Sequence, residues 1–161
     1  MEESTPKSLS QQIQEVDKFI EEINGKLCLN KIKLNECDLD VSRNDLLGMS
    51  KSELDGLRWD FGKYMLGLQK QINNYTAKMN WAETNLKTFK ELHANDDDNR
   101  GFTWQERCAN VLANNEYAKK LEFFRSRSKL LYDQYWGIIN RIEFLCKVID
   151  SISYSKRKED A

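Results

Sequence analysis

Between Leu121 and Ile152, ten residues follow one another at alternating steps of three and four. They are Leu121, Phe124, Ser128, Leu131, Tyr135, Ile138, Ile142, Leu145, Ile149 and Ile152, and all but Ser128 are apolar. A helix carries such positions on one stripe, and strict three-four alternation is the heptad spacing by which helices pack along their length. A second apolar edge, formed by Leu130, Trp136, Gly137 and Phe144, lies off that stripe. A helix apolar on two sides touches more than one neighbour. The stretch therefore reads as the spine of an elongated helical protein and as an assembly surface.

The rest of the chain supplies partners for the spine. Leu9, Ile13, Val16, Ile20, Ile23 and Leu27 repeat at four-three spacing, with Thr5-Pro6 as a start signal and Glu15, Asp17, Glu21 and Glu22 off the stripe. Asn24-Gly25 is a turn signal, whereas Leu34 and Val41 continue the seven-residue steps, so this first helix either breaks there or runs on to about residue 38. Asp38 to Met49 reads as a connection, with Asn44-Asp45 and Gly48 as breakers. Ser50-Lys51-Ser52-Glu53 is a capping box that opens a second helix over 51–93. Its face runs Leu54, Leu57, Phe61, Tyr64, Leu68, Ile72, Tyr75, Met79, Ala82, Leu86, Phe89, with two consecutive steps of four at Leu68. That is a stutter, which locally unwinds a supercoil. Ala94 to Gly101 is an Asp-rich loop without the spacing or closing Glu of a calcium-binding loop. Thr103-Trp104-Gln105-Glu106 is another capping box and opens the last helix, over 103–155, with a kink signal at Asn114-Asn115.

The fold these patterns predict is all-α: one domain over 1–161, an elongated hairpin or coiled-coil bundle of three long helices. The short loop between the last two makes them antiparallel neighbours. Helices of this length expose more apolar stripe than a thin three-helix monomer buries, which predicts a homo-oligomer. Its interface is expected at Leu130, Tyr135, Trp136, Ile138, Ile142, Phe144, Leu145 and Ile149.

Composition excludes more than it names. A single His93 and scattered carboxylates provide no nucleophile, base and orienting group together, and the glycines form no phosphate loop, so no enzyme is expected. Cys28, Cys37, Cys108 and Cys146 form no CxxC pair, so neither metal nor cofactor is expected. The acidic start lacks a signal peptide and no apolar run is long enough to cross a membrane, which predicts a cytoplasmic protein with reduced thiols. The first sixty residues are acidic and the remainder mildly basic.

The basic segment 119–129 carries Lys119, Lys120, Arg125, Arg127 and Lys129 around Phe123 and Phe124. Cations that track phosphates beside rings that stack on bases suit single-stranded nucleic acid. Phe124 also falls on the heptad stripe, where it would be core, and lysines on a helix are commonly a solvated face. Lys87, Lys90 and Arg100 flank the Asp-rich loop as a second basic group, with Trp81, Phe102 and Trp104 as stacking rings or buried anchors. The terminal Lys156, Arg157 and Lys158 suit a helix C-terminus or a basic tail.

Tyr135-Trp136-Gly137-Ile138-Ile139, continuing through Phe144-Leu145-Cys146 to Ile149-Asp150-Ser151-Ile152, resembles the C-terminal helix of the UvsY-type recombination mediators of tailed bacteriophages. Phe102-Thr103-Trp104 and Val111-Leu112-Ala113 precede it in similar order, and Leu86-Lys87 looks like the basic segment this family uses on single-stranded DNA. The resemblance covers roughly residues 60–154. It implies a non-enzymatic, ring-forming homo-oligomer that binds single-stranded DNA and helps a RecA-like recombinase displace single-strand-binding protein. By position, Lys87 would contact DNA, with Lys90 nearby. The chain departs from the family in having Phe89 where a second basic residue is expected, an acidic loop in place of a Gly-rich turn, and an added acidic first helix. The alternative is a structural or regulatory coiled-coil protein that binds only protein, such as a phage assembly factor or an inhibitor of a host enzyme.

Overall fold

The computed structural model describes residues 7–27, 39–94 and 101–159. Among them the fold is all-α, with five helices: α1 Leu9–Lys26, α2 Arg43–Gly48, α3 Lys51–His93, α4 Trp104–Asn114 and α5 Glu116–Glu159. Only α3 and α5, of 43 and 44 residues, are long. At 1.5 Å per residue each extends about 65 Å.

The starts of the helices are fixed by reciprocal side-chain caps. A helix leaves its first N–H groups without intrahelical partners, and a Ser or Thr with an acid or amide three residues on satisfies two of them. The Ser50 hydroxyl accepts from Glu53 N at 3.3 Å, while Ser50 N donates to the Glu53 carboxylate at 2.6 Å. Thr103 and Glu106 repeat the arrangement for α4. These two boxes start α3 and α4 where the sequence predicts.

Four expectations change. First, α1 starts on a Ser8–Gln11 box, in which Ser8 Oγ accepts from Gln11 N at 3.3 Å and the Gln11 side chain accepts from Ser8 N at 2.9 Å. Thr5-Pro6 lies outside the described residues. Second, α1 runs through Asn24-Gly25 and ends at Lys26; its expected extension over 28–38 also lies outside the described residues. Third, the supposed connection before Met49 contains α2. Asn44-Asp45 is not a breaker there, because Asp45 accepts from Ser42 N at 3.0 Å and Ser42 Oγ accepts from Asp45 N at 3.2 Å. Fourth, the expected helix over 103–155 is two helices. Asn115 closes α4, donating its N–H to Val111 O at 3.1 Å, and opens α5, its side chain accepting from Tyr117 N and Ala118 N. One residue thus caps two helices, and α5 then continues to Glu159.

The helices group into two compact units, each containing part of α3 and part of α5. Residues 39–72 and 133–159 belong to one. Here Leu46, Leu54, Phe61, Leu68, Ile142 and Ile149 are at most 2% exposed, so the heptad stripes of both long helices are core. Leu68 and Ile72 are both buried, so the stutter keeps the stripe facing inward. Polar contacts lock its rim. Arg58 on α3 forms a two-pronged ion pair with Asp150 on α5, Nη2 to Oδ2 being 3.0 Å. Lys156 donates to Leu47 O at 2.9 Å and to Met49 O, which places its charge at the C-terminus of α2.

Residues 7–23, 73–94 and 101–132 belong to the other unit. Its core is smaller, with Leu86, Ala118 and Leu121 at the centre and Leu9, Trp81, Phe89, Leu112 and Tyr117 packed on it. Trp81 meets Phe124 edge-on at 6.0 Å, and Phe89 lies 5.3 Å from Tyr117, so α3 and α5 are antiparallel here. Two polar contacts hold α1 in place: Tyr117 Oη with the Gln12 side chain at 3.0 Å, and Lys78 Nζ with Asp17 at 2.7 Å. Gly101, at φ +92°, supplies the left-handed turn before the Thr103 cap, a conformation costly for residues with a Cβ.

Candidate nucleic acid interface

The basic residues singled out by sequence fall into three environments. Lys87, Lys90 and Arg125 meet at a cleft of about 360 Å³ whose walls include Leu86, Trp104 and Cys108. Glu83, Glu91 and Glu122 line the same cleft, so three cations face three carboxylates. Arg125 is held to Glu122 by two bonds, Nη2 at 2.7 Å and Nε at 3.1 Å. That pair raises the Arg125 pKa and, with help from Ser126 and Lys90, lowers the Glu122 carboxyl below its ordinary range. Lys87 is exposed and stands 3.9 Å from Glu91. The cleft is polar but close to neutral.

Lys119, Lys120 and Arg127 lie elsewhere on α5 and have a different character. All three are exposed, and among the described residues no carboxylate pairs with them. Between them stands Phe123, 67% exposed. Lys119 and Lys120 precede it by four and three residues and Arg127 follows by four, so all share its side of the helix. Phe123, Phe124, Leu9 and Ile13 line an apolar groove of about 390 Å³, with Lys119 and Lys120 at its rim. Lys129 is exposed on another side of α5, and Arg100 lies outside the described residues.

The rings divide similarly. Phe124 is half-buried against Trp81, which suits its place on the heptad stripe. Phe102 and Trp104 are 46% and 50% exposed, so neither is a buried anchor. Phe123 and Phe124 were both expected as stacking rings of the basic segment, and the structure separates them: Phe124 packs against Trp81, while Phe123, one step off the stripe, stays exposed.

The expected assembly residues also separate. Ile142, Leu145 and Ile149 are buried within the chain, and Tyr135 and Ile138 are half-buried. Leu130, Trp136 and Phe144 remain at the surface. Gly137, beside Trp136, has open space where a Cβ would stand.

Among the described residues, no group of His, Cys, Asp and Glu is placed to hold a metal ion, and no helix is long and apolar enough to cross a membrane. Cys146 is buried beside the stripe, and burial pushes its thiol pKa up, away from the reactive thiolate.

No protein-family model, curated protein or solved structure matches the chain.

Proposed function

We propose that this protein is a non-enzymatic, self-associating single-stranded-DNA-binding protein that acts as a recombination mediator, helping to load a RecA-like recombinase where single-strand-binding protein is bound. The observation that carries the binding reading is Phe123: an exposed ring framed by three cations with no carboxylate partner among the described residues. Unpaired bases offer flat faces at every position, and base–aromatic stacking contributes about 1–3 kcal/mol per base. The surrounding cations suit the phosphates on either side of a stacked base, without selecting sequence. The recombination context rests on the resemblance carried by Tyr135-Trp136-Gly137-Ile138. In this reading the neutral cleft at Lys87 and Lys90 is a secondary contact, and Trp104 at its edge is a second stacking ring.

The test is titration of the whole protein into a labelled oligothymidylate at several salt concentrations. Release of counterions from about three phosphates gives a log–log salt slope near −2. Lys120→Glu with Arg127→Glu is expected to reduce affinity by about tenfold or more, while Lys87→Glu weakens it less. No binding by the unmodified protein at low salt would refute the proposal.

A second reading, a coiled-coil protein that binds only protein, draws on the apolar groove of Leu9, Ile13 and Phe124 beside Phe123. It predicts that Phe123→Ala loses a protein partner while the oligonucleotide never binds.

A further inference from the structure

The outer side of α1 mirrors the surface around Phe123 with the charges reversed. Phe19 is 62% exposed. Glu15 precedes it by four residues and Glu22 follows by three, and Ile23, 38% exposed, continues the ridge four residues on. Glu22 has no cation partner among the described residues, while Glu15 pairs at its edge with Lys7. Of the exposed phenylalanines in the unit containing residues 7–23 and 73–132, Phe19 is therefore framed by carboxylates and Phe123 by Lys119, Lys120 and Arg127. Each stands beside an apolar groove. Phe19 shares a groove of about 520 Å³ with Val16, Ala77 and Trp81, and Phe123 shares its own with Leu9, Ile13 and Phe124.

We infer that these two surfaces bind each other between copies of the chain. Phe19 of one copy enters the groove of Leu9, Ile13 and Phe124 on the next, and Phe123 of the second enters the groove of Val16, Ala77 and Trp81 on the first. Glu15 and Glu22 then face Lys119, Lys120 and Arg127. Opposite charge selects this pairing over either surface with itself, since like charges meet in both of those alternatives. A contact between two different surfaces is head-to-tail, so it leaves each copy with one free surface and adds copies beyond two. Each ring buries about 150–250 Å², which fits a reversible, salt-sensitive association more than an obligate one. The contact uses the cations assigned above to nucleic acid, and in this one respect it rests on that assignment: a neighbouring α1 and single-stranded DNA exclude one another at Phe123.

Sedimentation of the full chain without nucleic acid tests the contact. The unmodified protein is expected to gain mass beyond a dimer as its concentration rises at low salt, and to lose it at high salt. Both rings are exposed, so Phe19→Ala and Phe123→Ala keep the fold, which circular dichroism checks. Each weakens association roughly tenfold or more. The two variants mixed in equal amounts retain one intact contact, and are expected to form dimers and nothing larger. A monomer under all conditions, either variant keeping the unmodified mass, or a mixture that grows past a dimer would overturn the inference. So would dissociation by Trp136→Ala together with unchanged mass for Phe19→Ala. Oligonucleotide titration separates the two proposals. Phe19→Ala should bind oligonucleotide at least as well as the unmodified chain, because competition is removed. Loss of assembly in Phe19→Ala with no oligonucleotide binding by any form would sustain the contact and refute the nucleic acid surface.

Discussion

The two units are built from the same two long helices, yet they use their residues differently. In the unit of residues 39–72 and 133–159, large side chains fill the core and several cations are held by partners on another helix or loop. Arg58 is paired with Asp150, Arg141 donates to Leu39 O, and Lys156 faces two carbonyls at the end of α2. Even its exposed Trp59, which has the Lys63 ammonium 5.5 Å above the ring, stands beside a compensated cation, since Asp60 is 3.7 Å from Lys63. In the unit of residues 7–23 and 73–132, the buried centre is small, and Lys119, Lys120 and Arg127 surround an exposed ring with no carboxylate partner among the described residues. A surface whose charges are already paired offers little to a ligand. On the function proposed above, the first unit supplies stability and the second recognition.

The largest effect that would sharpen this contrast is Phe61→Ala. The side chain is fully buried, and its removal leaves a cavity at a cost of about 3–5 kcal/mol. Urea unfolding should show that loss, whereas Phe123→Ala should change stability by less than about 0.5 kcal/mol. A comparable loss at Phe123 would break the division.

Next in size, Lys120→Glu with Arg127→Glu should reduce oligonucleotide affinity by about tenfold or more, while Arg58→Ala leaves it unchanged. Arg58 and Asp150 are about half exposed, so the pair contributes no more than about 1 kcal/mol to stability after solvent screening. Equal effects of the two changes on binding would point to non-specific electrostatics.

The caps give a smaller effect shared by both units. Thr103→Ala, like Ser42→Ala, removes one half of a box and should cost about 1 kcal/mol. The same boxes predict an acid response. Hydrogen bonds from Ser42, Ser50 and Thr103 hold Asp45, Glu53 and Glu106 below their ordinary pKa, and the ion pair with Arg125 does so for Glu122. A carboxyl with a depressed folded pKa stabilises the fold above its unfolded value and loses that contribution as pH falls through the folded value. Thermal unfolding should therefore hold steady from neutral pH to about 5 and decline below about 4. The Thr103→Ala variant should decline less steeply.

The smallest effect has the opposite sign. Ser153 is buried, and its hydroxyl has no hydrogen-bond partner among the described residues. Ser153→Ala should stabilise by up to about 1 kcal/mol, because it removes an unsatisfied polar group. A loss would show that the hydroxyl is satisfied in solution.

Much of the fold was legible because helices announce themselves twice, by period and by cap. The stripe from Leu121 to Ile152 is buried or half-buried at every position, Ser128 included. The box at Ser50 located the start of α3 to the residue. What was missed also has a physical cause. Asn44-Asp45 and Gly48 resemble turn chemistry, but Asp three residues after Ser42 completes a cap, so the same residues start a helix. Asn114-Asn115 signalled a kink and not a break, because period alone does not reveal that the Asn115 side chain caps the next helix.

The site was less legible. Sequence spacing grouped Lys87 and Lys90 with Arg100; it showed neither that Arg125 joins them nor that three glutamates neutralise them, since Arg125 and Glu122 reach that cleft only through tertiary packing. It also grouped Lys119 to Lys129 as one patch, whereas the helix turns Arg125 to the cleft and Arg127 to Phe123. Charge along a chain does not report which charges are already paired.

The most direct measurement is anisotropy of a labelled oligothymidylate titrated with unmodified and Phe123→Ala protein at low and high salt, alongside their thermal unfolding. The account predicts binding by the unmodified chain that weakens roughly fifteenfold between about 50 and 200 mM salt. It predicts a further loss of about fivefold to a hundredfold in Phe123→Ala, with the unfolding temperature unchanged. Equal affinity of the two proteins, or no binding by either at low salt, would contradict it.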